Sequence, residues 1–136
     1  MSFKPSEHPL VPKHKSDNET AQLAIQAGYP AVEPILDELL EWLKDCNWPV
    51  ATDLYPFLSS IGAPLAPHIR CILQTDDYTW QYWIFGFFLN SRELYDLFRD
   101  DIHRIAASPT EEEKYECLDE RCRDAIKWHE PEAWPA

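Results

Sequence analysis

Apolar residues recur at helical spacing between residue 32 and residue 43. They occupy positions i, i+3, i+4, i+7, i+8 and i+11, which together form one face of an amphipathic helix: Val32, Ile35, Leu36, Leu39, Leu40 and Leu43. No segment of the sequence has a convincing strand-like alternation of apolar and polar residues. The chain is therefore predicted to be all-α.

Glycine and proline mark two similar helix boundaries. Gly28 precedes Pro30, Gly62 precedes Pro64, and the two pairs lie 34 residues apart. Glycine is favoured just after a helix, and proline in the first turn of the next one. Periods of this size are typical of helical solenoids. We therefore predict a short right-handed array of antiparallel helix hairpins with six or seven helices.

Polar residues at fixed offsets predict several helix starts. Ser16 precedes Glu19 by three residues, and Thr110 precedes Glu113 by three, so each pair has the spacing of a capping box. The pair Asp76–Asp77 precedes a helix rich in aromatic residues, where an aspartate is a favourable N-cap.

The inner positions of these helices predict the core. We expect the third helix to run from about Pro49 to Ile61, one helix to follow Asn90 or Ser91, and one last helix to follow Thr110. The residues expected to be mostly buried are Ile35, Leu39, Leu58, Ile69, Leu73, Ile84, Phe88, Phe98, Ile102, Leu118 and Ile126.

The chain is expected to form one helical domain behind a short arm. Residues 1–16 contain three prolines and are predicted to be an extended N-terminal arm, and residues 17–136 to be a single all-helical domain. The chain opens without an apolar secretory segment, and its four cysteines form no Cys-x-x-Cys pair. We therefore expect a cytoplasmic protein with reduced, mostly buried thiols.

Charge and hydropathy exclude two classes of partner. The sequence has 24 acidic and 12 basic residues, a formal net charge of −12, which is the wrong sign for binding nucleic acid. The longest apolar run, Tyr82 to Leu89, has eight residues, whereas a membrane-spanning helix needs about 20. Neither a nucleic acid nor a membrane is a predicted partner.

Sequence motifs give no support for an enzyme. Nucleophile elbows, phosphate-binding loops, dinucleotide fingerprints and zinc-protease motifs are all missing. Asp100 and His103 stand at i and i+3, but no further ligand lies at a suitable spacing for a metal. We therefore predict no catalytic residue, no metal site and no cofactor.

Five acidic residues follow one another along the second predicted helix. Glu33, Asp37, Glu41 and Asp45 are spaced by four residues, with Glu38 beside them. Each like-charged pair at this spacing should destabilise an isolated helix by about 0.2–0.5 kcal/mol. The row is either a solvated face or a surface that is neutralised by a cationic partner.

Tryptophan supplies the second part of the candidate site. Trp42 lies beside the apolar face of the second helix, and Trp48 lies in the turn after it. Tryptophan is favoured at interface hot spots, so both are predicted to bind a partner together with the five acidic residues. The alternative is a small-molecule or enzymatic site in an aromatic groove lined by Trp48, Trp80 and Tyr82.

Short motifs recur throughout the chain: Pro12-Lys13-His14-Lys15, Asp17-Asn18, Gly28-Tyr29-Pro30-Ala31-Val32, Leu40-Glu41-Trp42-Leu43, Asn47-Trp48-Pro49-Val50-Ala51, Ile61-Gly62, Pro67-His68-Ile69 and Trp80-x-x-Trp83. With these motifs, the chain resembles one bacterial family, domain of unknown function 5071, over most of residues 10–125. The resemblance implies a HEAT/ARM-like helical fold and transfers no catalytic residue.

Acidity and missing catalytic motifs favour a non-enzymatic protein-interaction module whose partner has a basic surface. Immunity proteins, which mask the basic active site of a toxin, are one such class. The competing hypothesis is a small-molecule-binding or enzymatic protein that uses the aromatic groove of Trp48, Trp80 and Tyr82.

Overall fold

The computed structural model describes residues 8–133, and this part of the chain is helical. It contains nine α-helices and two short 3₁₀ helices and no β-strand, which confirms the all-α prediction. The number of helices is larger than the six or seven expected. Within the described residues, no helix is long and apolar enough to cross a membrane.

The chain divides into two compact units, the first ending at Ile61 and the second beginning at Gly62. The first unit contains α1 (Asn18–Ala27), α2 (Leu36–Glu41) and α3 (Pro49–Ile61). The bounds of α3 are those predicted, and the helix continues through Pro56. The second unit contains α4 (Ala66–Leu73), α5 (Tyr78–Phe88), α6 (Arg92–Leu97), α7 (Arg99–Ala107), α8 (Glu111–Tyr115) and α9 (Leu118–His129).

In the first unit, α1 packs against α3, and polar contacts join their beginnings. The amide of Asn18 donates to the backbone carbonyl of Pro49 at 3.2 Å and to the carboxylate of Asp53 at 2.7 Å. The backbone N–H of Val50 donates to the carbonyl of Lys15 at 3.1 Å. These bonds fix where the chain enters both helices.

The described part of the predicted arm forms turns. Residues 1–7 lie outside the described residues, and residues 8–16 contain no regular helix or strand. The side chain of Val11 is completely buried, and its backbone N–H donates to the carbonyl of His8 at 3.1 Å. An apolar side chain thus fixes this segment to the first unit.

The second predicted helix is shorter than its apolar pattern suggests. A 3₁₀ helix spans Glu33–Ile35, and only Leu36–Glu41 is regular α-helix. Pro34 lies in the 3₁₀ segment, and because proline lacks an N–H, it disfavours a regular helix that would continue through this position from residues before it. All six residues of the predicted apolar face are nevertheless buried.

In the second unit, α9 packs against α5, α6, α7 and α8. Its buried residues are Leu118, Cys122, Ala125 and Ile126. The buried amide of Gln81 on α5 donates to the carbonyls of Ile72 and Thr75 at 3.3 and 2.9 Å, which ties the end of α4 to α5.

Two of the predicted helices are each divided in two, which accounts for the additional helices. Phe98 separates α6 from α7 and has φ −111° and ψ 13°. Cys117 separates α8 from α9 and has a left-handed backbone with φ 62°. Neither residue is a glycine or proline, so their local sequence carries no break signal.

The predicted core is confirmed at every position except Leu73, which is half-buried. The expectation that the thiols are mostly buried was wrong, because only Cys122 is buried and Cys71 is exposed. All four cysteines are free.

The observed helix caps agree with the predicted caps at most positions. Thr110 and Glu113 form the predicted capping box, and Asp77 accepts a hydrogen bond from the backbone N–H of Trp80 at 3.0 Å. The cap of α1 is Asp17, which accepts from the N–H of Thr20, and not Ser16 as predicted. Gly28 and Gly62 follow α1 and α3 with φ values of 72° and 75°.

Candidate functional site

The five predicted acidic residues lie on and around α2. Glu33, Asp37 and Glu41 are exposed, whereas Glu38 and Asp45 are half-buried. Only Asp37 and Glu41 are a like-charged i, i+4 pair inside one regular helix, because Glu33 lies in the 3₁₀ segment and Asp45 follows α2. The uninterrupted helical row expected from the sequence is therefore wrong: Asp37, Glu38 and Glu41 lie within α2, whereas Glu33 precedes it and Asp45 follows it.

The buried side of α2 fixes this acidic surface in place. Leu36, Leu39 and Leu40 are all completely buried. Their packing holds the helix so that Asp37 and Glu41 are presented to solvent. A surface on a packed helix loses less conformational freedom on binding than one on a loop.

Trp42 and Trp48 contact each other at the end of α2. Their ring centroids are 5.6 Å apart and the ring planes are inclined by 69°, an edge-to-face arrangement. Both side chains are half-buried, so part of each indole remains accessible. The structure thus brings together the two tryptophans that the sequence singled out.

Two of the acidic residues around this aromatic pair, Glu41 and Asp45, have local polar contacts. Lys44 lies 3.6 Å from the carboxylate of Glu41, and both side chains are well exposed. Asp45 accepts a hydrogen bond at 2.8 Å from the backbone N–H of Asn47 and so stabilises the turn that leads to Trp48. An exposed pair such as Glu41–Lys44 contributes little stability.

One carboxylate oxygen of Glu38 is covered and has no hydrogen-bond partner among the described residues. A buried acceptor without a donor costs free energy. Glu38 precedes Trp42 by four residues along the helix, so the two side chains are neighbours on its surface. Faces of indole rings beside carboxylates attract lysine and arginine side chains, by cation–π interaction and by charge.

The residues of the alternative aromatic groove belong to different units. Trp48 is in the first unit, and Trp80 and Tyr82 are both on α5 of the second. Trp80 is buried in the core of its unit, whereas Tyr82 is half-buried.

His103 contacts a carboxylate other than the one considered from the sequence. Its Nε2 lies 2.9 Å from a carboxylate oxygen of Glu130, at the end of α9, while Asp100 is exposed. No cluster of three or more His, Cys, Asp or Glu side chains that could hold a metal occurs within residues 8–133.

The carboxylate of Glu130 is surrounded by hydrogen-bond donors. Arg99 donates to it twice, at 2.9 and 2.7 Å, and the hydroxyl of Tyr95 donates to its other oxygen. The bonds from Arg99, His103 and Tyr95 lower the pKa of Glu130 to about 2. A carboxylate so strongly stabilised in its ionised form is a poor general base. The cluster therefore joins the end of α9 to α6 and α7.

Sequence reasoning missed a cavity in the second unit, which lies between α5 and α9 and is lined by Gly86 and Arg121. Gly86 lies inside the aromatic helix α5, and a side chain there would collide with the guanidinium of Arg121 on α9. A glycine in a helix interior is destabilising by up to about 1 kcal/mol and often indicates close packing, so Gly86 was a signal that could have located this region.

Comparison with known proteins identifies the family. The sequence profile described as a domain of unknown function (DUF5071) matches residues 10–126. Curated proteins include no match to the chain. Because the matched segment covers most of the 136 residues, this chain belongs to the DUF5071 family, as the motifs along its sequence predicted.

Proposed function

We propose that this protein is a non-enzymatic protein-interaction module whose acidic–aromatic surface binds a partner with a basic face. We define the acidic–aromatic surface as Glu33, Asp37, Glu38, Glu41, Asp45, Trp42 and Trp48. The observation that carries the proposal is the half-exposed Trp42–Trp48 pair next to a helix with exposed carboxylates.

Local charge supports a cationic partner. Residues 29–48 contain five acidic side chains and one basic side chain, Lys44. The whole chain carries a formal net charge of −12, so the long-range field also attracts positive molecules. Such complementarity raises the association rate and makes binding sensitive to salt.

The aromatic pair supports a specific contact in addition to this attraction. A lysine or arginine side chain placed over Trp42 or Trp48 gains cation–π energy and lies within reach of the neighbouring carboxylates. Charge alone would attract any cation, whereas a pair of inclined indoles selects the position of one side chain.

Immunity proteins are the functional class we favour within this proposal. Such a protein acts in the cytoplasm, where it masks the basic active site of a toxin. The chemistry of the acidic–aromatic surface is suited to that task because a basic active site presents clustered lysine and arginine side chains.

Affinity capture from the native organism tests the proposal. The wild-type protein, immobilised at low salt, should retain a basic protein that is released at high salt. A bait carrying Asp37→Asn and Glu41→Gln should retain much less of it. A control bait with Glu111→Gln and Glu112→Gln loses the same charge from the exposed face of α8 and should behave as wild type.

Two results would contradict this function. If both charge-reduced baits lose the partner equally, net charge alone explains the binding. If the Asp37→Asn, Glu41→Gln bait retains as much partner as wild type, the acidic–aromatic surface is not part of the interface. For the immunity role, co-expression of this protein should also protect cells that express the captured partner. If co-expression does not restore the growth of these cells, the immunity role is rejected.

A further inference from the structure

Arg121 differs from the other arginines of the described chain. Five arginines form an ion pair with a carboxylate, whereas Arg121 forms none with any residue from 8 to 133. In a sequence with 24 acidic residues and 12 basic ones, an arginine without a carboxylate partner is unexpected. The five pairs are Arg70–Asp101, Arg92–Asp96, Arg99–Glu130, Arg104–Glu113 and Arg123–Asp119.

The guanidinium of Arg121 is held in place by α5. It lies 3.9 Å from the centre of the Tyr82 ring, a cation–π contact. On α5, a methyl group at Gly86 would come within 2.5 Å of its Nη1 atom, so a larger residue there would displace the guanidinium from this position. Its Nε–H is buried and has no acceptor among the described residues. The charge is thus positioned and partly desolvated, and its hydrogen-bonding capacity is incompletely used.

A cavity of about 230 Å³ opens beside this guanidinium, between α5 and α9. Its volume is below the range of about 300–1,000 Å³ that drug-sized ligands occupy, so a suitable occupant is small. Trp128 is 75 % exposed although it is a large apolar side chain, and it forms part of the cavity wall. The wall includes Arg121, Asp124, Asn90, Phe85, Leu89 and Trp128.

The cavity wall carries one charge of each sign. Asp124 follows Arg121 by three residues on α9, so their side chains are neighbours on the helix surface. No ion pair joins them, and no hydrogen bond or ion pair to Asp124 occurs in the described part of the chain. A ligand with both a carboxylate and an ammonium group could satisfy the two residues together.

We propose that this cavity binds a small zwitterion with an apolar side chain, a free α-amino acid. Its carboxylate pairs with Arg121, its ammonium group pairs with Asp124, and its side chain lies against Phe85, Leu89 and Trp128. The amide of Asn90 adds a polar contact at the wall. Asp124 disfavours a ligand with two negative charges, because the second charge would be repelled at short distance.

An NMR titration with L-phenylalanine, followed at the indole N–H of Trp128, tests the proposal. The resonance should shift in a saturable manner, with a dissociation constant of about 1 mM or lower. Arg121→Gln and Asp124→Asn should each weaken binding about tenfold or more. Lys127→Gln removes a positive charge from an exposed position on the same helix and should leave binding unchanged.

Ligand analogues separate the two charges. Phenylalaninamide lacks the carboxylate and phenylpropanoate lacks the ammonium group, so both should bind at least tenfold more weakly than phenylalanine. Absence of a saturable shift up to about 10 mM phenylalanine, or equal binding of either analogue, would overturn the proposal. If Arg121→Gln does not fold, the exposed substitution Asp124→Asn decides the result, and undiminished binding by that variant would also overturn it.

Discussion

The guanidinium of Arg104 donates two hydrogen bonds to the carboxylate of Glu113, at 2.8 and 2.6 Å. Glu113 is buried, and it also accepts a hydrogen bond at 2.8 Å from the backbone N–H of Thr110, which completes the capping box of α8. One carboxylate thus joins α7 to the start of α8. The Arg104 guanidinium is the main reason why the pKa of Glu113 lies below its ordinary value.

Glu113→Gln should destabilise the protein. The substitution leaves the Arg104 guanidinium without a carboxylate and weakens the cap of α8. Because the Arg104 side chain is half-exposed, water replaces part of the lost interaction, and we expect a loss of about 1–2 kcal/mol in the free energy of unfolding. Urea denaturation measures this loss. Glu112→Gln, at an exposed neighbouring position, should change stability by less than about 0.5 kcal/mol.

Glu130 should stabilise the folded protein at neutral pH, and this stabilisation should be lost in acid. Its pKa in the folded chain is about 2, below the ordinary value of 4.5, so the ionised carboxylate favours the folded state. This stabilisation is fully present above the ordinary pKa and is lost as the pH falls towards about 2. Glu130→Gln should therefore lower stability at about pH 7 and have a smaller effect at about pH 3 in urea melts. An effect of equal size at both pH values would show that ionisation of Glu130 does not contribute.

Leu39→Ala should cause a large loss of stability. Leu39 is completely buried on α2, and truncating such a residue costs about 2–5 kcal/mol. Leu23→Ala on α1 is the matched control because its side chain is 48 % exposed, and we expect a change below about 1 kcal/mol. Chemical denaturation compares the two. Similar losses for both variants would mean that the apolar face of α2 does not form the core.

Gly62→Ala should be more harmful than Gly28→Ala. Both glycines have a positive φ, which disfavours alanine at either position. At Gly62, however, the new methyl group would also lie 2.6 Å from a carboxylate oxygen of Glu93, which accepts a hydrogen bond from the backbone N–H of Ala63. Thermal melts should give the larger drop for Gly62→Ala. In the background of Glu93→Ala, the two glycine substitutions should become similar, and a persistent difference would exclude the contact with Glu93 as its cause.

Helix ends marked by glycine or proline were predictable, whereas the breaks at Phe98 and Cys117 were not. The end of α1 at Gly28 and the bounds of α3 follow from local backbone preferences. Cys117 adopts a left-handed backbone that its own side chain does not favour, so this conformation depends on the surrounding packing of the second unit. Sequence periodicity carries no information about such a position.

Burial was more predictable than helix length. The apolar face from Val32 to Leu43 is buried although only Leu36–Glu41 is regular helix, because burial follows the hydrophobic pattern whereas Pro34 delays the start of the regular helix. The contact between Trp42 and Trp48, six residues apart, needed the three-dimensional course of the turn. The cavity at Arg121 depends on how α5 packs against α9, a long-range relationship that one sequence does not specify.

The binding of the captured basic partner to the variant Asp37→Asn with Glu41→Gln tests the central claim most directly. The variant removes the one like-charged i, i+4 pair within α2, so its thermal midpoint should stay the same or rise slightly. Calorimetric titration at low salt should show affinity reduced tenfold or more, about 1.4 kcal/mol, with a weaker dependence on salt than wild type. Equal affinity of variant and wild type at low salt would contradict the claim that this acidic surface binds the partner.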